Sequence, residues 1–398
     1  MGKSASFLFM IGVLSIFLIG CWDQVEIEDR GFIVGVAIDL VEEAASEPDE
    51  SKGKYLYKGT WQFVVPSGLS QGSSDTGGSA AQKAFENVST TSDSILEQAR
   101  QLAATVSRPP FSQHLQLIII SEEVAKTPQA FGNILDLFLR DNEMRRGIKV
   151  LISEGEAGQV LNTQPTPESL PVMYLDSVSE NSNKNQKILP ENRIGTAHER
   201  LIDKKSFVLP KVKKDGEKLN LSGAAVFNGN SSQMIDFING DITEGLNFIT
   251  DEYQRGLIKT KMKDDLIVYD IENARRKVSV KVKDKDNIQF NIEIQTDGMI
   301  GEGFIPLDYT KQKTISKVEK AIEKEIERKV SNTIKTFQED LKVDALGLGS
   351  FLQGEDYETW KKIRKDWDHG ENYFSKSTIN LKVKAIVRNS GSVIESEK

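Results

Sequence analysis

The first 20 residues constrain the chain more than any other stretch, because they are not expected to belong to its folded body. Lys3 is the only charge ahead of an apolar run at residues 7–19, and Gly20 and Cys21 follow that run. A short basic region, an apolar core and small residues at its end are typical of a secretory signal peptide. The alternative is an uncleaved membrane-spanning helix. Such a helix needs about 20 apolar residues, whereas this run has 13. We therefore expect a signal peptide at residues 1–20.

Cys21 indicates how the exported body is held. Residues 18–21 resemble the bacterial lipobox, although Ile19 stands where Ala or Ser is usual. In the lipoproteins that this motif resembles, the thiol receives a diacylglyceryl group, the leader is cut before the Cys, and the new amino group accepts an acyl chain such as palmitate. Two acyl chains give stable anchoring, since each buried methylene contributes about 0.8 kcal/mol. Cys21 is the only cysteine in the sequence, so a disulfide has no partner.

Composition limits the body and its partners. The chain has 398 residues, of which 38% are hydrophobic and 28% charged, and no later apolar run approaches spanning length. At roughly 150 residues per domain, this predicts two or three domains. The net charge of -8 argues against nucleic acid as a partner, because such binding rests on clustered Lys and Arg. We predict an N-terminal α/β domain at 21–206, a small β-rich domain at 207–284 and a C-terminal α+β domain at 285–398.

Strand and helix patterns alternate in the first of these regions. A nearly continuous apolar run at 31–40 predicts a buried strand, with a hairpin partner at 54–65. Ser94 and Glu97 form a capping-box pattern that opens a helix ending near Val106. Strands are predicted at 114–121 and 147–153, a helix at 128–141, and two further helices between 168 and 203. This order favours α/β layering with parallel neighbours.

The rest of the chain favours sheets with one long helix. Asp215 and Gly216 predict a hairpin, Asp241 or Thr243 is expected to cap a helix ending near 250, and strands are expected at 255–260, 266–271 and 277–282. Alternating residues predict strands at 288–295 and 379–387. Apolar residues between 315 and 341 recur at a spacing above 3.6, which favours a long helix packed across a twisted sheet. A coiled coil with another chain is the alternative. The expected fold is multidomain, α/β and α+β, with mixed sheets, packed helices and a last domain in which this helix lies against an antiparallel sheet.

Several stretches together resemble one family. They are residues 21–23, 26–27, 30–39, 117–125, 137–141, 145–146, 344–349 and 360–367, with Arg388 and Gly391. These stretches are similar to the C subunits of bacterial spore germinant receptors, and the likeness covers essentially the whole mature chain. It implies a lipoprotein on the outer face of the spore inner membrane that is required for nutrient-triggered germination. The implied partners are membrane-integral A-type and B-type subunits, the bilayer through acylated Cys21 and, as further candidates, other germination lipoproteins.

The sequence contains no catalytic pattern. His114, His198 and His369 are far apart, and none has a metal-ligating neighbour at helical spacing. The Gly301-Glu302-Gly303 stretch lacks the rest of a phosphate-binding fingerprint. We therefore expect no enzyme and no catalytic, metal or cofactor site, and Cys21 is the one predicted site residue. A solute-binding lipoprotein of a transport system is the alternative function, although it requires two similar α/β lobes around a cleft.

Two surface patterns have two interpretations each. The charged residues at the end of the 128–141 helix and just after it form either a solvated helix end or a contact with a partner subunit. They are Arg140, Asp141, Glu143, Arg145 and Arg146. Trp360, Ile363 and Trp367 recur at helical spacing, which favours a core stripe over an aromatic docking face.

Overall fold

A computed structural model describes residues 26, 29–41, 53–69, 83–141, 143–253, 255–262, 265–303 and 311–389. The strands are β1 (Gly31–Val41), β2 (Leu56–Val64), β3 (Phe85–Ser92), β4 (Pro110–Phe111), β5 (Leu117–Ser121), β6 (Lys149–Glu154), β7 (Phe207–Asp215), β8 (Lys218–Asn220), β9 (Ala224–Asn228), β10 (Gln233–Ile238), β11 (Gly256–Met262), β12 (Asp265–Asp284), β13 (Asn287–Gly303) and β14 (Thr378–Asn389). The α-helices are α1 (Pro66–Leu69), α2 (Ile95–Thr105), α3 (Glu122–Lys126), α4 (Ala130–Arg140), α5 (Ala157–Leu161), α6 (Pro171–Glu180), α7 (Ile194–Ile202), α8 (Gly240–Thr250), α9 (Gln312–Lys335), α10 (Leu348–Glu355), α11 (Tyr357–Ile363) and α12 (Tyr373–Lys376). Single turns of other helix types are Asn181–Asn183, Thr336–Leu341 and Arg364–Asp366.

The larger sheet has the strand order β10-β9-β7-β6-β5-β1-β2-β3, with β4 beside β1 and β8 beside β7. Its centre is parallel, from β1 through β5 and β6 to β7, and antiparallel strands extend it on both sides. Every residue of β5 is buried, as its apolar run predicts. The predicted α/β layering is therefore confirmed. We call this sheet, with α1 to α7, the N-terminal lobe.

Local sequence accounts for the helices of this lobe. The Ser94 hydroxyl accepts a hydrogen bond from the Glu97 main-chain N–H at 3.3 Å, which satisfies one of the free donors in the first turn of α2. Helix α4 buries Phe131, Ile134 and Phe138 in the core against the parallel strands. The predicted start of α2 and the helix predicted at 128–141 are both confirmed.

The second sheet has four strands in the order β11-β12-β13-β14, and together with α8 to α12 it forms the C-terminal lobe. The sheet is antiparallel except that β14 runs parallel to β13. Helix α9 buries Val318, Ile322, Ile326 and Val330, and it contacts α8, β11 and β14. The predicted long helix against this sheet is confirmed. Its apolar face is covered by the chain itself, so it is not available for a coiled coil.

Two local expectations differ from the structure. Helix α8 is capped by Asn239, whose Oδ1 accepts from the N–H groups of Asp241 and Ile242 at 3.0 Å each, so the predicted caps Asp241 and Thr243 were wrong. Asn239 has an extended backbone just before the helix, which aims its side chain at the first turn. The predicted strands at 266–271 and 277–282 are one strand, β12. Residues 301–303 are the last residues of β13.

The strands of residues 207–284 are divided between the lobes. Strands β7 to β10 join the larger sheet, whereas β11 and β12 join the smaller one. Within the described ranges the segment therefore has no sheet of its own. Sheet pairing does not by itself define independently folding units, so the domain limits at 206 and 284 stay a prediction.

Candidate interaction site between the two lobes

Two adjoining cavities lie between the lobes, with volumes of about 670 and about 530 Å³. They share Arg200, Ser206, Gly347 and Ser350 as lining residues, so they form one continuous depression, which we call the interlobe groove. The N-terminal lobe contributes the end of α7 and the start of β7. The C-terminal lobe contributes the residues around α10 and α11.

Asp344 lies beneath the groove and holds the start of α10. Its carboxylate accepts from the main-chain N–H groups of Leu348 at 3.0 Å and Gly349 at 2.6 Å, and from the indole Nε1 of Trp367 at 2.7 Å. Burial raises the pKa of Asp344 to about 7, although the three donors oppose the increase. Both carboxylate oxygens therefore have structural partners.

Gly349 allows this arrangement. A Cβ atom at Gly349 would lie 2.6 Å from the indole Nε1 of Trp367, closer than real Cβ contacts come. Gly347, just before the helix, has a φ of 78°, a conformation that glycine adopts without strain. The two glycines thus let the chain turn and let the indole approach Asp344. This gives a physical reason for the residue types in the 344–349 stretch.

A second aspartate joins the lobes. The Ser206 hydroxyl, just before β7, donates to Asp368 at 2.6 Å, and the Asp344 main-chain N–H donates to the same carboxylate at 3.2 Å. Ser206 also accepts from the Gly229 N–H at 3.1 Å, in the turn between β9 and β10. These bonds connect the two lobes at the floor of the groove. Sequence reasoning missed Ser206 and Asp368, because nothing in the sequence pairs two polar residues 162 positions apart.

The rim of the groove carries unpaired positive charge. Arg200, Lys204, Arg364 and Lys365 are exposed, and none of them forms a salt bridge with any residue that the structure describes. Lys205 approaches Asp203 at 3.4 Å. Because the chain as a whole is acidic, this rim differs in sign from the protein's net charge.

The tryptophan stripe has two roles. Ile363 and Trp367 are buried, 1% and 4% exposed, which confirms the core interpretation for them. Trp360 is half-buried, packs edge-on against Trp367 at 5.8 Å and lines the groove. One member of the stripe thus offers an aromatic surface to the groove.

The N-terminal lobe has its own buried carboxylate. Asp39, near the end of β1, accepts from the N–H groups of Ala157 at 2.6 Å and Gly158 at 2.8 Å, at the start of α5. Burial raises the pKa of Asp39, and the two main-chain donors oppose the increase. A Cβ atom at Gly158 would come 3.1 Å from that carboxylate, so a small residue suits this contact.

Comparison with protein families identifies what shares this architecture. A family model for the spore germination protein N-terminal domain matches residues 23–214. A second, for the spore germination B3/GerAC-like C-terminal domain, matches residues 222–391. The chain belongs to the GerAC-like family of spore germination proteins. The resemblance recognised from the sequence is confirmed, and it extends across both lobes.

Individual relatives agree with that assignment. Spore germination protein YndF of Bacillus subtilis (strain 168) is 33% identical over 97% of this chain and 96% of its own length. Spore germination protein B3 of the same organism is 26% identical over 98% of this chain and 99% of its own length. The crystal structure of the GerBC protein covers 89% of this chain and 97% of its own, with a TM-score of 0.61 at 19% identity. That structure shares the fold.

The remaining candidate residues of this family member are separate from one another. Cys21 lies outside the described residues, so its lipidation stays a prediction. His114 packs against the rings of Phe32 and Phe111, whereas His369 lies at the groove, 3.4 Å from Asp368. Among the residues that the structure places, no group of three or more His, Cys, Asp or Glu side chains could hold a metal ion. None of the helices in the same ranges is long and apolar enough to cross a bilayer.

The charged residues at the end of α4 and just after it do not form one network. Arg140 pairs with Asp136 one helical turn earlier, and this pairing lowers the pKa of Asp136. Arg146 pairs with Glu199 of α7 at 2.8 Å. Asp141 accepts from the Glu143 main-chain N–H. These are exposed interactions of a solvated helix end, and a contact with a partner subunit stays a hypothesis.

Proposed function

We propose that this chain is the lipid-anchored C-type subunit of a nutrient germinant receptor, a non-catalytic interaction protein required for nutrient-triggered spore germination. The observation that carries the proposal is the position of the family match. The two matched regions begin at residue 23 and run to residue 391, so both family domains follow Cys21. A lipid on Cys21 would then tether the whole family body by its first residue.

The proposed partners follow from this role. They are membrane-integral A-type and B-type subunits, the bilayer through acylated Cys21, and other germination lipoproteins. The proposed location is the outer face of the spore inner membrane. The buried carboxylates support a role without chemistry, because Asp39 and Asp344 are both engaged by main-chain donors at helix starts.

The anchor is tested by Cys21→Ala, with Ile19→Ala as the matched control in the same motif. Cys21→Ala removes the only thiol, so we expect unprocessed precursor or protein shed from spore membranes, together with a weaker germination response to nutrients. Ile19→Ala brings the motif closer to the usual lipobox and should remain processed and membrane-bound. A Cys21→Ala protein that is mature in size, membrane-bound and fully responsive would contradict the anchoring proposal.

The transport alternative is tested by titrating the purified protein with amino acids and sugars in a calorimeter. A solute-binding lipoprotein needs two similar lobes, whereas these lobes differ, with a ten-stranded sheet in one and a four-stranded sheet in the other. We expect no tight binding of a small molecule by this subunit alone. Micromolar or tighter binding would favour the transport function instead.

A further inference from the structure

The interlobe groove differs from the rest of the surface in charge. Its first cavity is lined by five cationic side chains, from both lobes: Arg200, Lys204, Lys205, Arg364 and Lys365. Three carboxyl groups also line it. Of these, Asp344 and Asp368 are buried and engaged by donors of the protein, and Asp203 is next to Lys205. The charges available at the rim of this first cavity are therefore positive, which favours an acidic ligand there. The second cavity is mixed in charge, because Glu191 and Glu252 line it together with Arg193, Arg200 and Arg276.

The groove also offers apolar surface beside these charges. Ile202 is 67% exposed at its edge, and Trp360 lines the same cavity. In the second cavity the guanidinium of Arg276 lies over the ring of Phe351, with its Cζ atom 4.9 Å from the ring centroid. A ligand that carries carboxylates and occasional apolar groups matches this combination better than a simple inorganic anion does.

The second cavity has one unfilled donor and one unfilled acceptor. The Nε of Arg276 and the Oδ1 of Asn192 are both buried, and neither has a hydrogen-bond partner among the described residues. The Nδ2 of Asn192 donates to the Val208 carbonyl at 3.2 Å. Buried polar atoms without partners are costly. A peptide main chain supplies both an acceptor for Arg276 and a donor for Asn192.

We propose that the interlobe groove binds an extended acidic segment of a partner protein. Its carboxylates contact the cationic rim at Arg364 and Lys365, and its main chain pairs with Arg276 and Asn192 in the second cavity. The proposal deepens the receptor-subunit role and rests on it for the identity of the partner. It names the surface and the chemistry of the segment that this surface recognises.

The test uses the purified full-length protein in detergent and a fluorescein-labelled peptide with the repeat Asp-Glu-Ser-Leu, followed by fluorescence anisotropy. In Arg364→Gln/Lys365→Gln, we expect binding about tenfold weaker, because two rim charges are lost. The matched control is Lys361→Gln/Lys362→Gln, the same charge change on exposed residues of α11 that do not line the groove. The control should bind within about twofold of the unaltered protein.

A second pair of variants tests the main-chain end of the groove. Arg276→Gln removes the unfilled donor and should weaken peptide binding several-fold. Arg275→Gln changes the neighbouring exposed residue of β12 and should not. All four variants should retain the thermal midpoint of the unaltered protein within a few degrees. If Arg276→Gln does not, Arg276→Lys keeps the charge while removing the guanidinium and its Nε donor.

Three outcomes would overturn the proposal. One is no peptide binding, or equal loss in the groove variant and its α11 control, which would indicate only a general effect of net charge. Another is equally tight binding of a peptide in which Asn and Gln replace the acidic residues. The third is binding of inorganic phosphate or phosphatidylglycerol vesicles that depends on Arg364 and Lys365 while the peptide does not bind. None of these results affects the proposed receptor function, because capture of membrane-integral subunits is measured separately.

Discussion

Each lobe contains a buried aspartate that caps a short helix, but the surroundings of the two aspartates differ. In each, a buried aspartate accepts two main-chain N–H groups at the start of a short helix: Asp39 for α5 and Asp344 for α10. Asp39 belongs to a central strand and fixes its helix to the larger sheet. Asp344 also accepts from the Trp367 indole and lies at the junction with Asp368 and Ser206. The capping contact of Asp39 thus attaches a helix to its sheet, whereas the similar contact of Asp344 supports the floor of the interlobe groove.

The largest expected difference between the lobes concerns their buried tryptophans. Trp367 donates to Asp344, whereas the Nε1 of Trp61 in the N-terminal lobe has no acceptor among the described residues. Trp367→Phe leaves a cavity and removes a donor from a buried carboxylate, so we expect a loss of about 2–4 kcal/mol in the free energy of unfolding. Trp61→Phe leaves a similar cavity without losing a bond and should cost about 1–2 kcal/mol. Urea unfolding of both variants measures the difference, and equal losses would show that the indole–carboxylate bond contributes nothing.

The second comparison uses pH. The folded pKa of Asp344 is about 7, above the ordinary value of 3.8, so the folded state favours the protonated carboxyl. The protonated Asp344 carboxyl therefore contributes its full share of the free energy of unfolding below about pH 4. This contribution is lost as the pH rises to about 7. Asp344→Asn cannot titrate and should cost about 1–3 kcal/mol at low pH, where both proteins are neutral at this site. We expect this stability difference to shrink as the pH rises from 4 to 7.

Asp39→Asn is the matched variant in the other lobe. Burial raises the pKa of Asp39 as well, so its pH dependence should have the same sign. The variants should differ in the intrinsic fluorescence of tryptophan, because the Trp367 indole donates to Asp344, whereas the described residues show no indole hydrogen bond to Asp39. A stability difference that grows with pH at either site would contradict this account of the two carboxylates.

The smallest expected effect concerns the edge of the C-terminal sheet. Glu323 and Glu319 of α9 accept from the main-chain N–H groups of Ala385 and Val387 at 3.2 and 3.1 Å, and so cover part of the edge of β14. Glu323→Ala should cost about 0.5–1.5 kcal/mol. Glu325→Ala, which removes a surface pair with Arg328 on the same helix, should cost about 0.3 kcal/mol. Equal effects in thermal unfolding would indicate that the edge bonds contribute no more than a surface ion pair.

The sequence predicted the elements far better than their partners. The apolar run of β1, the Ser94 cap and the alternation of β14 each depend on a few neighbouring residues, and local patterns express them directly. The parallel pairing of β14 with β13 and the division of residues 207–284 between two sheets depend on contacts across the chain. No periodicity within a strand specifies which strand lies beside it.

The interlobe groove was even harder to predict from the sequence, because its residues come from distant parts of the chain. The sequence singled out the 344–349 stretch and Trp367 as part of the family resemblance. It did not indicate which residues they contact. Ser206 of the N-terminal lobe donates a hydrogen bond to Asp368 of the C-terminal lobe. Arg200, near the end of α7, lines the groove together with residues around α11. Isolated Ser, Arg and Lys residues are common on surfaces, so only the folded arrangement distinguishes these from the rest.

The most direct test of the central claim is a pull-down of the tagged, full-length chain from solubilised spore membranes, with mass spectrometry of what accompanies it. The account predicts that membrane-integral receptor subunits of the A and B types are recovered with the unaltered protein and with Lys361→Gln/Lys362→Gln. It predicts reduced recovery with Arg364→Gln/Lys365→Gln. Equal recovery with both double variants would contradict the role of the groove alone. Recovery of no membrane-integral receptor subunit with the unaltered protein would contradict the receptor-subunit function itself.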